Sequence, residues 1–286
     1  MGMLSLWVDE SEKGSLLIVG GVLVEWDTVL GIIQRWREMK VRLGLDPDAE
    51  VKWNLPQGHP TRKKLEDQAR TTRDLTERAI QTIVSTEMFC IVAVMSDLRQ
   101  LDWWKKIWNR ASVRDFYCEG LRYVLQRAAE EVVEGEATGC VVVCDTPGLG
   151  KDEFISGSIR RGPKAVEKAY AKWYTEGIGV GPGGRHHHGA LREIGFHPSI
   201  LVSDATFHDM LQIADVVVGI TRDWVASVQE GKSEAWLIKQ MKALSRRFRS
   251  RHGLSSYGSP SFWGDGLILW PPQDPLRQHL QQSLRP

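Results

Sequence analysis

Short apolar runs alternate along the chain with longer amphipathic segments. Five of these runs have the length and apolar character of strands, namely Leu4–Val8, Leu16–Val24, Met88–Met95, Gly139–Asp145 and Ser199–Asp204. A short polar turn separates the first two runs, which predicts an antiparallel hairpin. The fourth run is apolar on both of its faces, and this is typical of a central strand.

Apolar residues spaced three and four positions apart predict helices around these strands. The predicted helices cover residues 27–42 with Asp27 as N-cap, 61–85, 104–133, 163–175 with a proline at its start, 207–228 and 233–251. The tail after Gly253 is rich in Gly, Pro and Trp and predicts no element.

This order of elements predicts an α/β domain with a mixed five-stranded sheet flanked by helices. The first three strands favour an antiparallel meander, whereas strands separated by helices favour parallel additions to the sheet. We expect this domain to span residues 1–230 and to be followed by a helical extension and tail over residues 231–286.

Composition restricts the class of protein. Lys and Arg number 37 and Asp and Glu 36, so the net charge of +1 excludes a uniformly basic coat but allows a local basic face. No apolar run reaches the ~18 residues that a membrane span needs, so no membrane association is expected. Asp9 comes too early for a signal peptide and the four cysteines are sparse, which predicts a cytoplasmic protein with reduced thiols.

Four carboxylates stand out by their positions. Asp9 ends the first predicted strand and Asp145 ends the fourth, so the two lie side by side if these strands are neighbours. Glu50 opens the segment "EVKW", and Asp215 interrupts the apolar helical segment "LQIADVVVG". Taken alone, Asp9 is better explained as a turn residue, and Asp145, which precedes "TPG", could simply cap a turn.

A cluster of carboxylates would point to a metal site. Two of them at ~4 Å cost from about 1 to 4 kcal/mol, depending on the effective dielectric constant, and a divalent cation removes that cost. Hard oxygen ligands favour Mg²⁺ or Mn²⁺, and two such ions about 4 Å apart can promote phosphodiester displacement. The spacing of the residues leaves this site and separate structural roles both open.

Helical spacing extends the pattern around Asp215. A polar stripe runs along this predicted helix at i, i+4, i+7, i+11 and i+14, through His208, Gln212, Asp215, Gly219 and Arg222. His208 is therefore a candidate for proton transfer or for a place beside the metal, although a histidine at a helix start is often only a cap partner.

Several of these segments resemble those of an uncharacterised family, domain of unknown function 3800. They are "DES" after the first strand, "GGVLV" on the second, "EVKW", the aspartate closing a later strand and "LQIADVVVG", and the match extends from Met3 to Arg222. The resemblance implies a ribonuclease H-like fold, whose enzymes hydrolyse or transfer phosphodiesters with a carboxylate-bound metal pair. It also implies that Asp9, Glu50, Asp145 and Asp215 face the metal, and that Lys52 contacts phosphate or pairs with a carboxylate.

A basic stripe after Asp145 is a candidate substrate contact. Lys164, Lys168 and Lys172 follow one another at i, i+4 and i+8, and Arg160 and Arg161 precede them. Such a stripe can bind phosphates, or it can be a solvated helix face.

The function predicted from the sequence is divalent-metal-dependent phosphodiester hydrolysis on nucleic acid. The alternative is a non-catalytic module with the same fold that binds nucleic acid or another partner. DNA and RNA are equally compatible with the sequence, and so are different oligomeric states. The segment "ASVQEGKS" loosely fits the phosphate-binding loop of nucleotide hydrolases. Such a loop should follow a strand, whereas this segment follows a predicted helix, so a nucleotide hydrolase is not favoured.

Overall fold

The computed structural model describes residues 2–96, 113–145, 153–155, 159–161, 163–179, 187, 189–232, 234–250, 262–270 and 274–284. The strands in these ranges are β1 (Met3–Lys13), β2 (Leu16–Glu25), β3 (Phe89–Met95), β4 (Gly139–Asp145), β5 (Glu153–Ile155), β6 (Ile159–Arg161), β7 (Leu201–Ser203) and β8 (Leu267–Trp270). The α-helices are α1 (Val29–Arg42), α2 (Pro60–Glu66), α3 (Thr72–Val84), α4 (Val113–Glu134), α5 (Pro163–Glu176), α6 (Asp209–Gln229), α7 (Ala235–Leu244) and α8 (Asp274–Ser283).

The fold is a mixed α/β arrangement around a six-stranded sheet, with the strand order β7-β4-β1-β2-β3-β8. The strands β1, β2 and β3 form an antiparallel meander, and β4 lies parallel to β1 with β7 parallel to β4. The strands β5 and β6 form a separate two-stranded ribbon. The predicted meander with parallel additions is therefore confirmed.

The number of strands in the sheet was predicted wrongly. The sixth strand, β8, comes from the tail and pairs in parallel with β3, so residues 231–286 complete the sheet in addition to supplying helices. The four residues of β8 are too few to show a periodic pattern, which is why the sequence did not reveal them. The predicted helix over 233–251 is also shorter, since α7 ends at Leu244.

The predicted helix over residues 61–85 is in fact two helices. A capping box interrupts it, because the Asp74 backbone N–H donates to Thr71 Oγ1 at 3.2 Å and the Thr71 backbone N–H donates to Asp74 Oδ2 at 2.7 Å. This reciprocal pair of hydrogen bonds starts α3 and ends the continuity with α2. The first part of the helix predicted over 104–133 lies outside the described residues.

The first strand is longer than predicted. The strand β1 continues through Asp9 to Lys13, and the turn follows at Gly14, whose φ of 61° lies in the left-handed region that suits glycine. Asp9 is therefore a residue of the hairpin opposite Gly20, and not a turn residue.

Helices cover both faces of the sheet. One core cluster contains Trp7 and Val143 and is covered by α1, α3, α6 and α7, while the other contains Leu6 and Val142 and is covered by α4 and α5. Adjacent strand residues thus point to opposite faces. No helix in the described part of the chain is both long and apolar enough to cross a lipid bilayer.

Candidate functional site

Strand register places Asp9 next to Asp145. The last parallel pair between β1 and β4 is Val8 with Cys144, so Asp9 and Asp145 are the next residue on each strand. Asp9 comes two residues after Trp7, and Asp145 comes two residues after Val143. Because alternate residues of a strand point to the same face, both acids face the layer that contains α6. The prediction that these two acids lie side by side is confirmed.

The helix α6 supplies the third carboxylate, Asp215. A Cβ atom at Gly21 of β2 would lie 3.0 Å from the Cβ of Ala214 and 1.9 Å from the carbonyl oxygen of Trp7. Glycine at this position therefore lets α6 approach the hairpin closely. The residue after Ala214 is Asp215, which this approach brings to the face that carries Asp9.

The electrostatics show that the three carboxylates share one environment. Burial raises the pKa of Asp9 well above its usual value, and the negative charges of Asp215 and Asp145 contribute to the rise. Burial likewise raises the pKa of Asp215 to about 6, with a further contribution from Asp145. The sequence prediction that these three acids converge is thus supported by the effect of Asp145 on the ionisation of Asp9 and Asp215, and of Asp215 on that of Asp9.

Each of the three carboxylates also accepts a backbone hydrogen bond. Asp9 Oδ1 accepts from the Glu10 N–H at 2.7 Å, and Asp145 Oδ1 accepts from the Ala205 N–H at 2.8 Å. Asp215 Oδ2 accepts from the Trp53 N–H at 2.5 Å. These bonds fix the orientation of the carboxylates, and they also give each of them a structural role.

Glu50 lies beside this cluster but is engaged by other side chains. Lys52 Nζ lies 2.7 Å from Glu50 Oε1, His59 Nε2 lies 2.9 Å from Oε2, and the Thr206 hydroxyl donates to Oε1 at 3.3 Å. Burial alone would raise the pKa of Glu50, but the bonds from Lys52 and His59 lower it below its usual value. Glu50 is therefore held as an anion that orients its neighbours.

His59 is not among the site residues predicted from the sequence, although its place before Pro60 marks a helix start. His59 caps α2, because its Nδ1 accepts the Thr61 backbone N–H at 3.3 Å. The ring nitrogen that accepts cannot carry the proton in the neutral ring, so Nε2 carries it and donates to Glu50. The helix cap thus sets the tautomer that holds Glu50.

Lys52 connects Glu50 with the three aspartates. Burial would lower the pKa of Lys52, but its hydrogen bond to Glu50 and the negative charges of Asp215 and Asp145 raise it above its ordinary value. The ammonium group is therefore a positive charge at the edge of the cluster. The side chain is 40% exposed, so it is accessible to an anionic ligand.

The segment from Glu50 to Trp53 lies along α6, and this explains the predicted polar stripe. The Val51 N–H donates to Gln212 Oε1 at 3.1 Å, one turn before the bond between Trp53 and Asp215. The Trp53 ring packs over Gly219, where a Cβ would lie 2.4 Å from the tryptophan side chain. The polar stripe of α6 therefore holds the segment of residues 50–53 in place, and it also contributes Asp215 to the cluster.

The other predicted site residues lie elsewhere. His208 is the exposed N-cap of α6, and no contact joins it to Asp215 within the described residues. Lys168 and Lys172 are exposed on α5, whose buried side packs in the cluster on the opposite face of the sheet from α6. Arg160 and Arg161 belong to β6 and Lys164 to α5, but their side chains lie outside the described residues.

The donor chemistry of the three aspartates fits a hard divalent cation. Carboxylate oxygens are the ligands that Mg²⁺ and Mn²⁺ prefer, and a bound cation would oppose the burial and neighbouring negative charge that raise the pKa of Asp9 and Asp215. Among the described residues, however, no group of three or more His, Cys, Asp or Glu side chains is arranged to hold a metal ion as it stands. Binding would therefore require the carboxylates to turn towards the ion.

No protein-family model matches the chain, and neither does any curated protein or solved structure. The resemblance to domain of unknown function 3800 therefore stays a prediction, and the functional argument depends on the geometry of the site.

Proposed function

We propose that the protein is a divalent-metal-dependent nuclease that hydrolyses phosphodiester bonds in nucleic acid. The observation that carries this proposal is the convergence of Asp9, Asp145 and Asp215 on one face of the sheet, where burial raises the pKa of Asp9 and Asp215 and the charge of Asp145 adds to both rises. Asp9 is buried and Asp145 and Asp215 are partly buried, and acids brought together in this way destabilise a fold unless a positively charged ligand binds them.

In this proposal Asp9, Asp145 and Asp215 hold Mg²⁺ or Mn²⁺. Such an ion supplies, when bound, the positive charge that stabilises a phosphodiester in its transition state. Lys52 is a cation that lies partly exposed beside the aspartates, so it binds a substrate phosphate oxygen. Glu50 and His59 act as positioning residues, because their hydrogen bonds fix the ammonium group of Lys52.

The topology of the sheet supports a ribonuclease H-like fold for this proposal. The three antiparallel strands β1, β2 and β3 come first in the chain, and β4 and β7 extend the sheet in parallel on the β1 side. Asp9 and Asp145 lie on the neighbouring strands β1 and β4, and Asp215 lies on α6. The additional strand β8 lies on the opposite edge, away from the acids.

The test of hydrolysis is the substitution Asp145→Asn. We expect the purified wild-type protein to cleave labelled DNA or RNA oligonucleotides with Mg²⁺ or Mn²⁺ and to be inactive with EDTA. Asp145→Asn should lower the cleavage rate by at least about a hundredfold, because it removes one negative charge from the proposed ion site. The matched control is Glu87→Gln, which neutralises an exposed acid outside the cluster and should cleave at the wild-type rate.

Two results would contradict this assignment. Cleavage that survives Asp145→Asn, with the variant folded by circular dichroism, would show that the activity has another source. The absence of any Mg²⁺-dependent rise in thermal stability of the wild-type protein would show that the aspartates bind no such ion, since a ligand specific for the native state stabilises it.

A second candidate is a non-catalytic nucleic-acid or partner-binding module on the same fold. The observation that favours it is that the acids have structural roles, since Asp215 already accepts a hydrogen bond from the Trp53 N–H. In addition, no group of side chains among the described residues is arranged to hold a metal ion. Wild-type protein that binds oligonucleotides but leaves them intact in Mg²⁺ and Mn²⁺ would favour this candidate over the nuclease.

A further inference from the structure

A cleft of about 980 Å³ opens between α1 and α3, apart from the carboxylate cluster. The two helices pack side by side, and the loop before α3 closes one end of the cleft. Four of its lining residues are arginines, namely Arg35, Arg42, Arg70 and Arg78. None of the candidate site residues contributes to this cleft.

Three of these arginines are held by neutral acceptors. Arg35 donates to the Ser85 carbonyl oxygen at 3.4 Å, and Arg78 donates to Gln81 Oε1 at 3.0 Å. Arg70 donates to the Arg42 carbonyl oxygen at 3.2 Å. Each of these bonds uses one of five guanidinium N–H donors, and although Arg70 and Arg78 also act electrostatically on Asp74, their remaining donors can bind an anion.

The two carboxylates that line the cleft are already engaged. Glu38 pairs with Arg42 at 3.6 Å, and its other oxygen accepts from Gln34 at 3.2 Å. Asp74 Oδ2 accepts both the backbone N–H and the hydroxyl of Thr71 in the capping box, each at 2.7 Å. The lining therefore carries four positive and two negative charges, an excess of two positive charges.

We propose that this cleft binds the phosphate backbone of a nucleic-acid strand, a ligand class that rests on the proposed function. Arginine is well suited to this ligand, because its planar guanidinium forms paired hydrogen bonds with phosphate oxygens. Arg35 and Arg42 lie two turns apart on α1, or roughly 10 Å along the helix axis. A single phosphate does not span that distance, whereas successive phosphates of a nucleic-acid strand do.

The position of the cleft agrees with this ligand. The helices α1 and α3 belong to the same layer as α6, which carries Asp215, so cleft and carboxylate cluster lie on one face of the sheet. The chain also leads directly from the end of α1 at Arg42, through a short loop, to Glu50 and Lys52. A strand bound in the cleft is thereby kept on the side of the molecule that carries the acids.

The experiment measures binding of a fluorescein-labelled 20-nucleotide single strand in EDTA, by anisotropy and over a series of salt concentrations. The variant combines Arg35→Gln with Arg78→Gln, two exposed positions at which glutamine retains a polar side chain. We expect the dissociation constant to rise about tenfold, and the slope of log K against log salt to fall by about 1.4, which corresponds to two lost phosphate contacts.

The matched control combines Lys63→Gln with Lys64→Gln, which removes the same charge from exposed positions on α2 outside the cleft. It should bind the strand as the wild-type protein does. Equal weakening in both double variants, no weakening in the arginine variant, or no binding by the wild-type protein would each overturn the proposal. Stronger competition by inorganic polyphosphate than by unlabelled strand, at equal phosphate concentration, would overturn the assignment to nucleic acid.

Failure of this proposal is distinguishable from failure of the nuclease proposal, because binding is measured without a divalent ion. If the protein binds the strand through the arginines but cleaves nothing in Mg²⁺, the cleft proposal stands and the nuclease proposal is wrong. If the protein cleaves in Mg²⁺ but binds the strand equally well after the arginine substitutions, the nuclease proposal stands and the cleft proposal is wrong.

Discussion

Asp9 and Asp215 lie where burial and neighbouring negative charge both oppose ionisation. At the scale of single residues this raises the free energy of the folded protein whenever both acids are charged. The same property favours binding of a cation, because the ion removes the repulsion at the positions where it binds. If the proposed Mg²⁺ or Mn²⁺ binds here, the cluster lowers the stability of the ion-free protein and raises its affinity for that ion.

This residue-scale argument predicts an unusual pH dependence for the ion-free protein. The folded-state pKa of Asp215, about 6, lies above the ordinary value of 3.8, so this group favours folding below pH 4 and loses that contribution as the pH rises through 6. Asp215→Asn should remove this pH-dependent loss of stability and increase the free energy of unfolding at pH 7 by on the order of 2 kcal/mol. Asparagine can still accept the Trp53 N–H.

Urea unfolding in EDTA from pH 5 to pH 7.5 measures this effect. Glu87→Gln, at an exposed acid, is the control and should leave the pH profile of the wild-type protein unchanged. If Asp215→Asn is less stable than the wild-type protein at pH 7, the repulsion inferred for the cluster is absent.

The sequence predicted the three aspartates because their signals are local. Two of them follow apolar strand runs, and the third interrupts an apolar helical face. The partners of Glu50 had no comparable signal. His59 and Thr206 lie in or beside loops, where the path of the chain depends on tertiary contacts that periodicity does not encode.

At the scale of elements, the loop that carries Glu50 and Lys52 depends on one glycine of α6. The ring of Trp53 occupies the space above Gly219, and the Trp53 indole N–H donates to Asp223 Oδ2 at 2.6 Å on the same helix. Position 219 therefore determines where this loop lies and, with it, where Lys52 is held.

Two glycine-to-alanine substitutions test this dependence. Alanine in an exposed helix interior normally stabilises by up to about 1 kcal/mol, and Gly31→Ala in α1, where the added Cβ has open space, should show this gain. Gly219→Ala should instead cost about 1–3 kcal/mol, because the new methyl group displaces Trp53. Urea unfolding measures both variants. Equal gains from the two would mean that Trp53 does not pack on α6.

The sequence predicted elements well where a long periodic pattern was present, as for α1 and α6. It merged α2 and α3, because the helical pattern continues across residues 67–71 while the capping box between Thr71 and Asp74 breaks the backbone. It also ended β1 too early, since acids in a hairpin resemble acids in a turn.

At the scale of the whole molecule, Arg249 joins the C-terminal region to α4. Its guanidinium is 1% exposed and pairs with Glu130 at 3.1 Å, with Glu134 at 3.3 Å and with Glu131. The next described segment, which contains β8, is tied to the same helix, because Arg127 donates to the Gly264 carbonyl oxygen at 2.9 Å and 2.7 Å. These contacts fasten the sixth strand to the rest of the fold.

Loss of Arg249 should therefore destabilise the entire protein. Arg249→Met removes this cation from the buried carboxylate of Glu130 and should cost about 3–5 kcal/mol. The control is Arg246→Gln, at an exposed arginine in the same region, which should change stability by less than about 1 kcal/mol. Calorimetry measures both. A loss confined to the tail, detected by limited proteolysis with an unchanged main transition, would show that the C-terminal region folds independently.

The pairing of β3 with β8 has a consequence for synthesis of the protein. The strand partner of Val92 is Leu267, so most of the polypeptide must leave the ribosome before this edge of the sheet can be covered. Until then the nascent meander exposes unpaired backbone groups along an apolar strand, which is a template for intermolecular pairing. Chaperone capture of the growing chain should therefore be concentrated on intermediates that have released residues 89–95 but not yet 267–270.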